Sequence, residues 1–164
     1  MRSLRHILAC GAGVIALVFF SGALTNCETR KKSAQSDTET FEETLAKAEK
    51  GDADAQVDLG IAYYIGEGVV KNEAISVKWY RKAAEQGDAT GQFFLGSSYQ
   101  LGRGVVANKL IAYQWYLLAS AQGDETAREN LLILEQELTA EQRTEVQRAA
   151  TEWQAAFEKR QAEK

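Results

Sequence analysis

The chain has 164 residues, a formal net charge of −4 at pH 7, 45% hydrophobic and 26% charged residues, and no proline. Such a length accommodates one globular domain, and a chain without proline favours helices, because proline removes a backbone donor and clashes with the preceding turn. The acidic balance argues against a nucleic-acid partner, since proteins that bind phosphate backbones carry clusters of Lys and Arg.

Histidine and cysteine are confined to the first 27 residues. His6 is the only histidine, and Cys10 and Cys27 are the only cysteines. The rest of the chain therefore contains no imidazole base, no thiolate nucleophile and no Cys/His metal site. No serine is followed three residues later by lysine, the pattern of one class of acyl-enzymes. We expect a protein that is not an enzyme and that needs no cofactor or metal.

The first 27 residues are typical of an export signal. A basic start, Met1–His6, precedes an apolar run over residues 7–20 and the small residues Ser-Gly-Ala at 21–23. The next four residues, Leu-Thr-Asn-Cys, resemble a bacterial lipoprotein box that ends at Cys27, although asparagine stands where Gly, Ala or Ser is usual. Three outcomes remain open: lipidation of Cys27, cleavage after the small residues, or an uncleaved anchor. The sequence thus predicts an exported domain that is periplasmic or tethered to the envelope membrane.

A polar stretch separates this signal from the predicted folded domain. Residues 28–39 lack an apolar period, which predicts a flexible linker. The domain is predicted to cover residues 40–164 and to open with a leading helix at 40–50. Thr40 begins that helix with the capping-box pattern Thr-x-x-Glu, and apolar residues follow at helical spacing.

Residues 51–122 consist of two copies of a 36-residue unit, the repeats 51–86 and 87–122. The positions of the first copy that recur 36 residues later are Gly51-Asp52-Ala53, Gln56, Leu59-Gly60, Tyr63, Gly66-x-Gly68-Val69-Val70, Asn72, Ile75, Trp79-Tyr80, Ala83 and Gln86. A period of this length is typical of helical repeat arrays, in which each repeat stacks on the next.

This pattern resembles the Sel-one-like repeat, a relative of the tetratricopeptide repeat, whose motif runs A-x-x-x-L-G-x-x-Y-x-x-G-x-G-V and later W-Y-x-K-A-A and Q-G. The first repeat matches it at Ala55, Leu59, Gly60, Tyr63, Gly66, Gly68, Val69, Trp79, Tyr80, Lys82, Ala83, Ala84, Gln86 and Gly87. The second repeat matches it at Leu95, Gly96, Tyr99, Gly102, Gly104, Val105, Trp115, Tyr116, Ala119, Gln122 and Gly123, with Gly91 in place of the first alanine. The resemblance implies an all-α protein, a right-handed α/α solenoid of helix-turn-helix repeats with a C-terminal capping helix.

Each repeat is expected to form two helices, helix A and helix B. Asp52 and Asn72 occupy the N-cap positions of the two helices in the first repeat, and the second repeat has the same residues 36 positions later. Glycine costs about 1 kcal/mol relative to alanine inside a helix. Gly60 and Gly96, inside helix A, therefore predict another helix that crosses too closely for a side chain. The Gly-x-Gly loops follow no strand, so we expect turns and not phosphate-binding loops.

The repeat pattern fades in residues 123–164. Ala127 and Leu131 keep the helix A register and predict a half repeat. Thr139 then opens a final helix with a second capping box, and one face of that helix is apolar. We expect this segment to close the stack, because repeat arrays need terminal elements with a polar outer side.

The inner face of the solenoid is the predicted binding site. From the resemblance to tetratricopeptide-like repeats, the groove-facing residues of helix A are Asp54, Val57, Ile61 and Tyr64 in the first repeat, Thr90, Phe93, Ser97 and Gln100 in the second, and Thr126, Glu129, Ile133 and Gln136 in the half repeat. These residues differ between the copies, whereas the packing positions agree, as a recognition surface requires. We predict a scaffold that binds a protein or peptide partner of unknown identity and does not bind nucleic acid.

Three other interpretations stay open at this point. Phe93 or its neighbour Phe94 could pack against the leading helix or the linker, which would remove an anchor from the groove. The protein could bind or process peptidoglycan or its precursors. It could also assemble with itself through the C-terminal helix, in which case Trp153 would hold the copies together.

Overall fold

Local capping signals set where the helices begin and end. The computed structural model describes residues 40–163, so the predicted export signal, Cys27 and the linker 28–39 lie outside the described residues. The regular elements of this range are seven helices: α1 Phe41–Glu49, α2 Ala53–Ile65, α3 Glu73–Glu85, α4 Ala89–Leu101, α5 Lys109–Ala121, α6 Glu125–Glu135 and α7 Ala140–Ala162. Within residues 40–163, none of them is long and apolar enough to cross a membrane.

The predicted N-caps are confirmed. Asp52 and Asp88 each accept a hydrogen bond from the backbone amide three residues later, at 2.9 and 2.6 Å. Asn72 and Asn108 do the same at the starts of α3 and α5, both at 3.1 Å. Both capping boxes are also present, at the starts of α1 and α7. These bonds satisfy amides that the first helical turn leaves without partners.

The helices stack in chain order, as an α/α solenoid requires. Each of α1 to α5 packs against the next helix, so A helices (α2, α4, α6) alternate with B helices (α1, α3, α5). In addition α2 approaches α4, whereas α3 and α5 approach each other less closely. The A helices of the two complete repeats, α2 and α4, therefore lie on the inner side of the array, and α6 follows them in the same register. The expected all-α repeat fold is confirmed.

Glycines inside the A helices allow the close crossing that the sequence predicted. A Cβ atom at Gly96 would lie 2.9 Å from the ring of Tyr116, and one at Gly60 would overlap the ring of Tyr80. Both tyrosines are almost fully buried. The tyrosine of helix B thus fills the space that a side chain on helix A would otherwise occupy.

Gly91 stands where the family motif has alanine, and the structure explains the difference. A Cβ atom at Gly91 would lie 2.7 Å from the Cβ of Ala83 and 2.9 Å from the backbone nitrogen of Ala84. Helix α4 therefore lies too close to α3 for any side chain at this position. Ala55, the equivalent residue of the first repeat, faces the shorter helix α1 and keeps its methyl group in a buried position.

Buried glutamines connect the repeats, which the sequence had shown only as recurring positions. Each of the first two A helices carries one, Gln56 or Gln92, whose side-chain amide donates to a carbonyl oxygen of the preceding B helix at 3.0 or 3.4 Å. Its side-chain oxygen accepts from a glutamine at the end of the same repeat, Gln86 or Gln122, at 2.8 or 3.0 Å. Because a buried amide without partners costs about 1–3 kcal/mol, these pairs favour one register of stacking.

The last helix leaves the repeat pattern and packs mainly on α5 instead of on α6. Its Trp153 ring meets the ring of Trp115 edge-on at 5.6 Å and stacks on Phe157 at 5.3 Å. Phe157 in turn covers Gly87, at the junction of the two repeats. Helix α7 is therefore the expected cap, with its apolar face used inside the domain.

Candidate partner-binding face

The eight groove residues predicted for the two complete repeats lie on α2 and α4, and the structure exposes them to different degrees. Asp54 and Thr90 are exposed, and Val57 is buried, with 6% of its surface accessible. Ile61, Tyr64, Phe93, Ser97 and Gln100 are half-buried. A partner can reach seven of these side chains at least in part, whereas Val57 supports the frame from below.

On α2 the side chain of Tyr64 contacts two basic residues. Its ring lies 5.3 Å from the ammonium of Lys71 and 5.4 Å from the guanidinium of Arg103, and its hydroxyl oxygen accepts a hydrogen bond from that guanidinium. Arg103 belongs to the glycine loop of the second repeat, so this contact crosses between repeats. Sequence comparison of the two copies missed Arg103 because the first repeat has Glu67 at the equivalent position.

On α4 the aromatic pair Phe93 and Phe94 packs inside the domain. Phe94 stacks on Tyr80 of the first repeat, with ring centroids 4.9 Å apart and an interplanar angle of 14°. Phe93 contacts Phe94 at 5.2 Å and Tyr116 at 5.9 Å. The alternative that one of them packs against α1 is therefore not what the described contacts show. Phe93 keeps a half-exposed edge on the inner face.

Ser97 and Gln100 are drawn towards Tyr116 of the adjacent B helix. The hydroxyl of Tyr116 donates to the side-chain oxygen of Gln100 at 2.7 Å. Burial raises the pKa of Tyr116 to about 12, an effect that a hydrogen bond with Ser97 partly opposes. The polar part of the inner face is thus fixed by the buried tyrosine beneath it.

This buried tyrosine predicts a loss of stability at alkaline pH. The pKa of Tyr116 is about 12 in the folded domain against an ordinary value of 10.0, so the unfolded chain ionises first. The neutral, buried hydroxyl of Tyr116 therefore stabilises the fold below pH 10, and this contribution is lost between about pH 10 and 12. In that range the free energy of unfolding should fall by up to about 1.4 kcal/mol per pH unit. Tyr116→Phe should flatten this slope and lower stability at pH 7 by about 1 kcal/mol.

Urea unfolding followed by circular dichroism at pH 7, 10 and 11 measures both effects. The slope should not vanish, because burial also raises the pKa values of Tyr80 and Tyr113. An unchanged slope in Tyr116→Phe would show that this hydroxyl ionises as freely in the folded domain as in the unfolded chain.

The same register continues on α6 and becomes more open there. The four residues that the sequence places in the groove of the half repeat are all exposed: Thr126, Glu129, Ile133 and Gln136. Ile133 has an exposed fraction of 53%, and the neighbouring Leu132 reaches 58%. They remain uncovered because α7 packs on α5 and not along α6. The inner face therefore offers its most accessible apolar side chain at the C-terminal end.

A second concavity lies between α5 and α7 and was not predicted. It has a volume of about 550 Å³, and its lining includes Leu117, Ala121, Ala150 and Gln154. The volume falls in the range of small-molecule sites, about 300–1,000 Å³. Within residues 40–163, no group of three or more His, Cys, Asp or Glu side chains is placed to hold a metal ion.

The structure has stacked helix pairs, a buried tyrosine where helix B crosses helix A, and an inner face whose residues differ between the repeats. These features define an α/α repeat scaffold. The Sel1 repeat model matches residues 53–88 and 89–124. The chain belongs to the Sel1 repeat family, the Sel-one-like repeats that the sequence resembles. Proteins of this family generally mediate protein–protein interaction and are typically not enzymes.

Two solved structures are similar to this chain. The Sel1 repeat protein from Oxalobacter formigenes is 40% identical over 56% of this chain and 68% of its own length, with a TM-score of 0.55. A protective antigen present in uropathogenic Escherichia coli strains, which displays the same repeat fold, is 34% identical over 76% of this chain, with a TM-score of 0.67. This chain spans 28% of that protein. No curated protein matches the sequence.

Proposed function

We propose that this protein is an exported, non-enzymatic scaffold that holds a segment of another protein on the inner face of α2, α4 and α6. The observation that carries this proposal is that each repeat contains packing positions, which agree between the copies, and inner-face positions, which do not. Gln56 and Gln92 make equivalent buried hydrogen bonds and Gly60 and Gly96 face equivalent tyrosines, while the inner-face positions differ in size and charge between the repeats. A frame that repeats and a surface that varies are what sequence-specific recognition by a repeat array requires.

The chemistry of the inner face suggests what the partner segment presents. Tyr64 and Arg103 together present an aromatic ring and a guanidinium group, which suit a carboxylate or an aromatic ring of the partner. Phe93 and Ile133 offer apolar edges on the two following A helices. We infer a short segment with apolar anchors and an acidic residue, bound with micromolar affinity because only two and a half repeats contribute.

The signal-like residues before position 28 support a location in the cell envelope. Export would place the domain in the periplasm, and lipidation at Cys27 or an uncleaved anchor would tether it to a membrane. A role in binding peptidoglycan or its precursors is the alternative. The mostly apolar concavity between α5 and α7 has the volume for a small ligand, but Glu158 is the one charged residue of its lining, so it offers no basic side chain to the carboxylates of peptidoglycan fragments.

The inner face can be tested with a pair of charge-matched double variants. Tyr64→Ala with Thr90→Asp alters α2 and α4 on the inner face, and Lys78→Ala with Glu85→Asp alters exposed positions of α3; each pair changes the charge by the same amount. Partners captured by crosslinking in the native envelope are identified, and the binding of the purified partner is then measured by calorimetry. We expect the inner-face pair to weaken binding at least about tenfold, or 1.4 kcal/mol, with the α3 pair close to wild type.

Circular dichroism must first show that both double variants remain folded. Phe93 is left intact because its contacts with Phe94 and Tyr116 make an unfolding effect hard to separate from a binding effect. Equal affinity for the two double variants would place the working surface elsewhere. The concavity between α5 and α7 would then be the next surface to test, with peptidoglycan fragments as the probe.

A further inference from the structure

Exposed aliphatic side chains line one edge of the solenoid, where each helix A turns into helix B. Ile65 and Leu101 end α2 and α4, and Val70 and Val106 follow in the glycine loops; their exposed fractions are 55, 54, 85 and 88%. The members of each pair are 36 residues apart, so stacking places them next to each other on the same edge. We call residues 65–73 and 101–109 the loop edge. Large apolar side chains exposed side by side mark an interaction surface.

The loop edge is basic although the chain as a whole is acidic. It holds Lys71, Arg103 and Lys109 against two acids, Glu67 and Glu73, in a chain with a formal charge of −4. The two lysines also pair with glutamates at 3.2 and 2.6 Å, but both side chains are more than half exposed. Exposed ion pairs of this kind contribute little. The lysines therefore remain available to anions that approach from solvent.

The chain enters the domain at this edge. Phe41, the first residue of α1, packs its Cβ atom 3.3 Å from the position that a Cβ would take at Gly68, inside the first glycine loop. Residues 28–39 separate this point from Cys27, and twelve residues span at most about 40 Å when fully extended. A domain anchored at or before Cys27 is thus held with its loop edge within reach of the bilayer.

We propose that the loop edge rests on an anionic lipid surface, with Val70 and Val106 inserted at the level of the headgroups and Lys71 and Lys109 facing phosphates. This inference rests on the export and membrane tethering in the proposed function. Aliphatic side chains combined with basic ones are what hold peripheral elements on anionic bilayers. The residues at the middle of each A helix stay uncovered, so the inner face can still hold a protein segment.

Photocrosslinking of the full chain in vesicles tests the contact directly. The full chain is reconstituted into vesicles of phosphatidylethanolamine and phosphatidylglycerol, with a benzophenone amino acid at position 70 or 106. Matched positions 85 and 121 are also exposed and end the B helices, about 20 Å from the loop edge along a 13-residue helix. We expect lipid adducts, measured by mass spectrometry, to be about tenfold more abundant at 70 and 106 than at 85 and 121.

Each outcome of this experiment decides the proposal. Equal adduct yields at the four positions would overturn it, as would crosslinks from position 70 or 106 to a second copy of the chain in place of lipid. A chain that does not float with the vesicles would contradict the tethering as well, so the two failures are distinguishable. In vesicles of phosphatidylcholine alone, the yield at 70 and 106 should fall severalfold, because the basic residues lose their anionic partners. An unchanged yield would refute the anionic preference.

Discussion

Replacing Trp115 by alanine is expected to lower the free energy of unfolding by about 3–5 kcal/mol. Trp115 is 7% exposed, and its ring meets Trp153 of α7 edge-on at 5.6 Å. Truncation would leave a cavity at the centre of the contact between α5 and α7. Because α7 has few contacts with α6, it would lose most of its support. The largest effect should therefore be detachment of α7 from the solenoid.

The matched control is Trp79→Ala, which changes the equivalent tryptophan of the first repeat. Trp79 is half-buried, and the ammonium of Lys82 lies over its ring, 3.7 Å from the ring centroid. We expect a smaller loss, about 1–3 kcal/mol, since less apolar surface is buried. Urea unfolding of the full chain, followed by circular dichroism, ranks the two variants. A loss at Trp115 no larger than at Trp79 would contradict the cap assignment of α7.

The same contacts bear on self-assembly through the C-terminal helix. Val146, Ala150, Trp153 and Phe157 form the apolar face of α7, and that face packs inside the domain. A second copy could not use it without first displacing α7 from α5. An oligomer that dissociates in Trp153→Ala would therefore report loss of the cap and not a direct contact between copies.

Features that depend on neighbours in the chain could be predicted from the sequence. A cap such as Asp52 acts on an amide three residues away, so its effect does not depend on the rest of the fold. The same holds for the capping boxes at Thr40 and Thr139. Gly60 and Gly96 were also informative, because a glycine retained within a helix at the period of the repeat requires a close neighbour in every repeat.

Features that depend on the angle between repeats could not be predicted in this way. The groove positions were carried over from an ideal repeat, which cannot tell that Val57 is buried while Thr90, at another groove position, is exposed. The contact between Tyr64 and Arg103 joins residues that the repeat pattern does not pair. The packing of α7 could not be predicted either, because its apolar face could pack on α5 or on α6. The contacts of Trp153 with Trp115 and of Phe157 with Gly87 show that it packs on α5.

Gly104→Ala is expected to have the second large effect on stability, because Gly104 lies where the loop of the second repeat contacts the first. This residue has a φ of +69°, and a Cβ atom there would overlap the carbonyl oxygen of Glu73 and lie 2.8 Å from the backbone nitrogen of Ala74, at the start of α3. Gly104→Ala should lower stability by about 2–4 kcal/mol, the sum of left-handed strain and of overpacking against backbone that cannot rotate away. The loop of the second repeat would be pushed off the first.

Gly123→Ala separates these two causes, because Gly123 has a φ of +95° and nothing lies within 4 Å of the added methyl group. It should lose only the strain, about 1–2 kcal/mol, with the denaturant slope unchanged. In an array of repeats, stability is approximately the sum of the repeats and of the interfaces between them. Gly104→Ala weakens an interface, so its urea transition should also become broader as the repeats begin to unfold separately. Equal losses with equally steep transitions would show that the loop contact does not couple the two repeats.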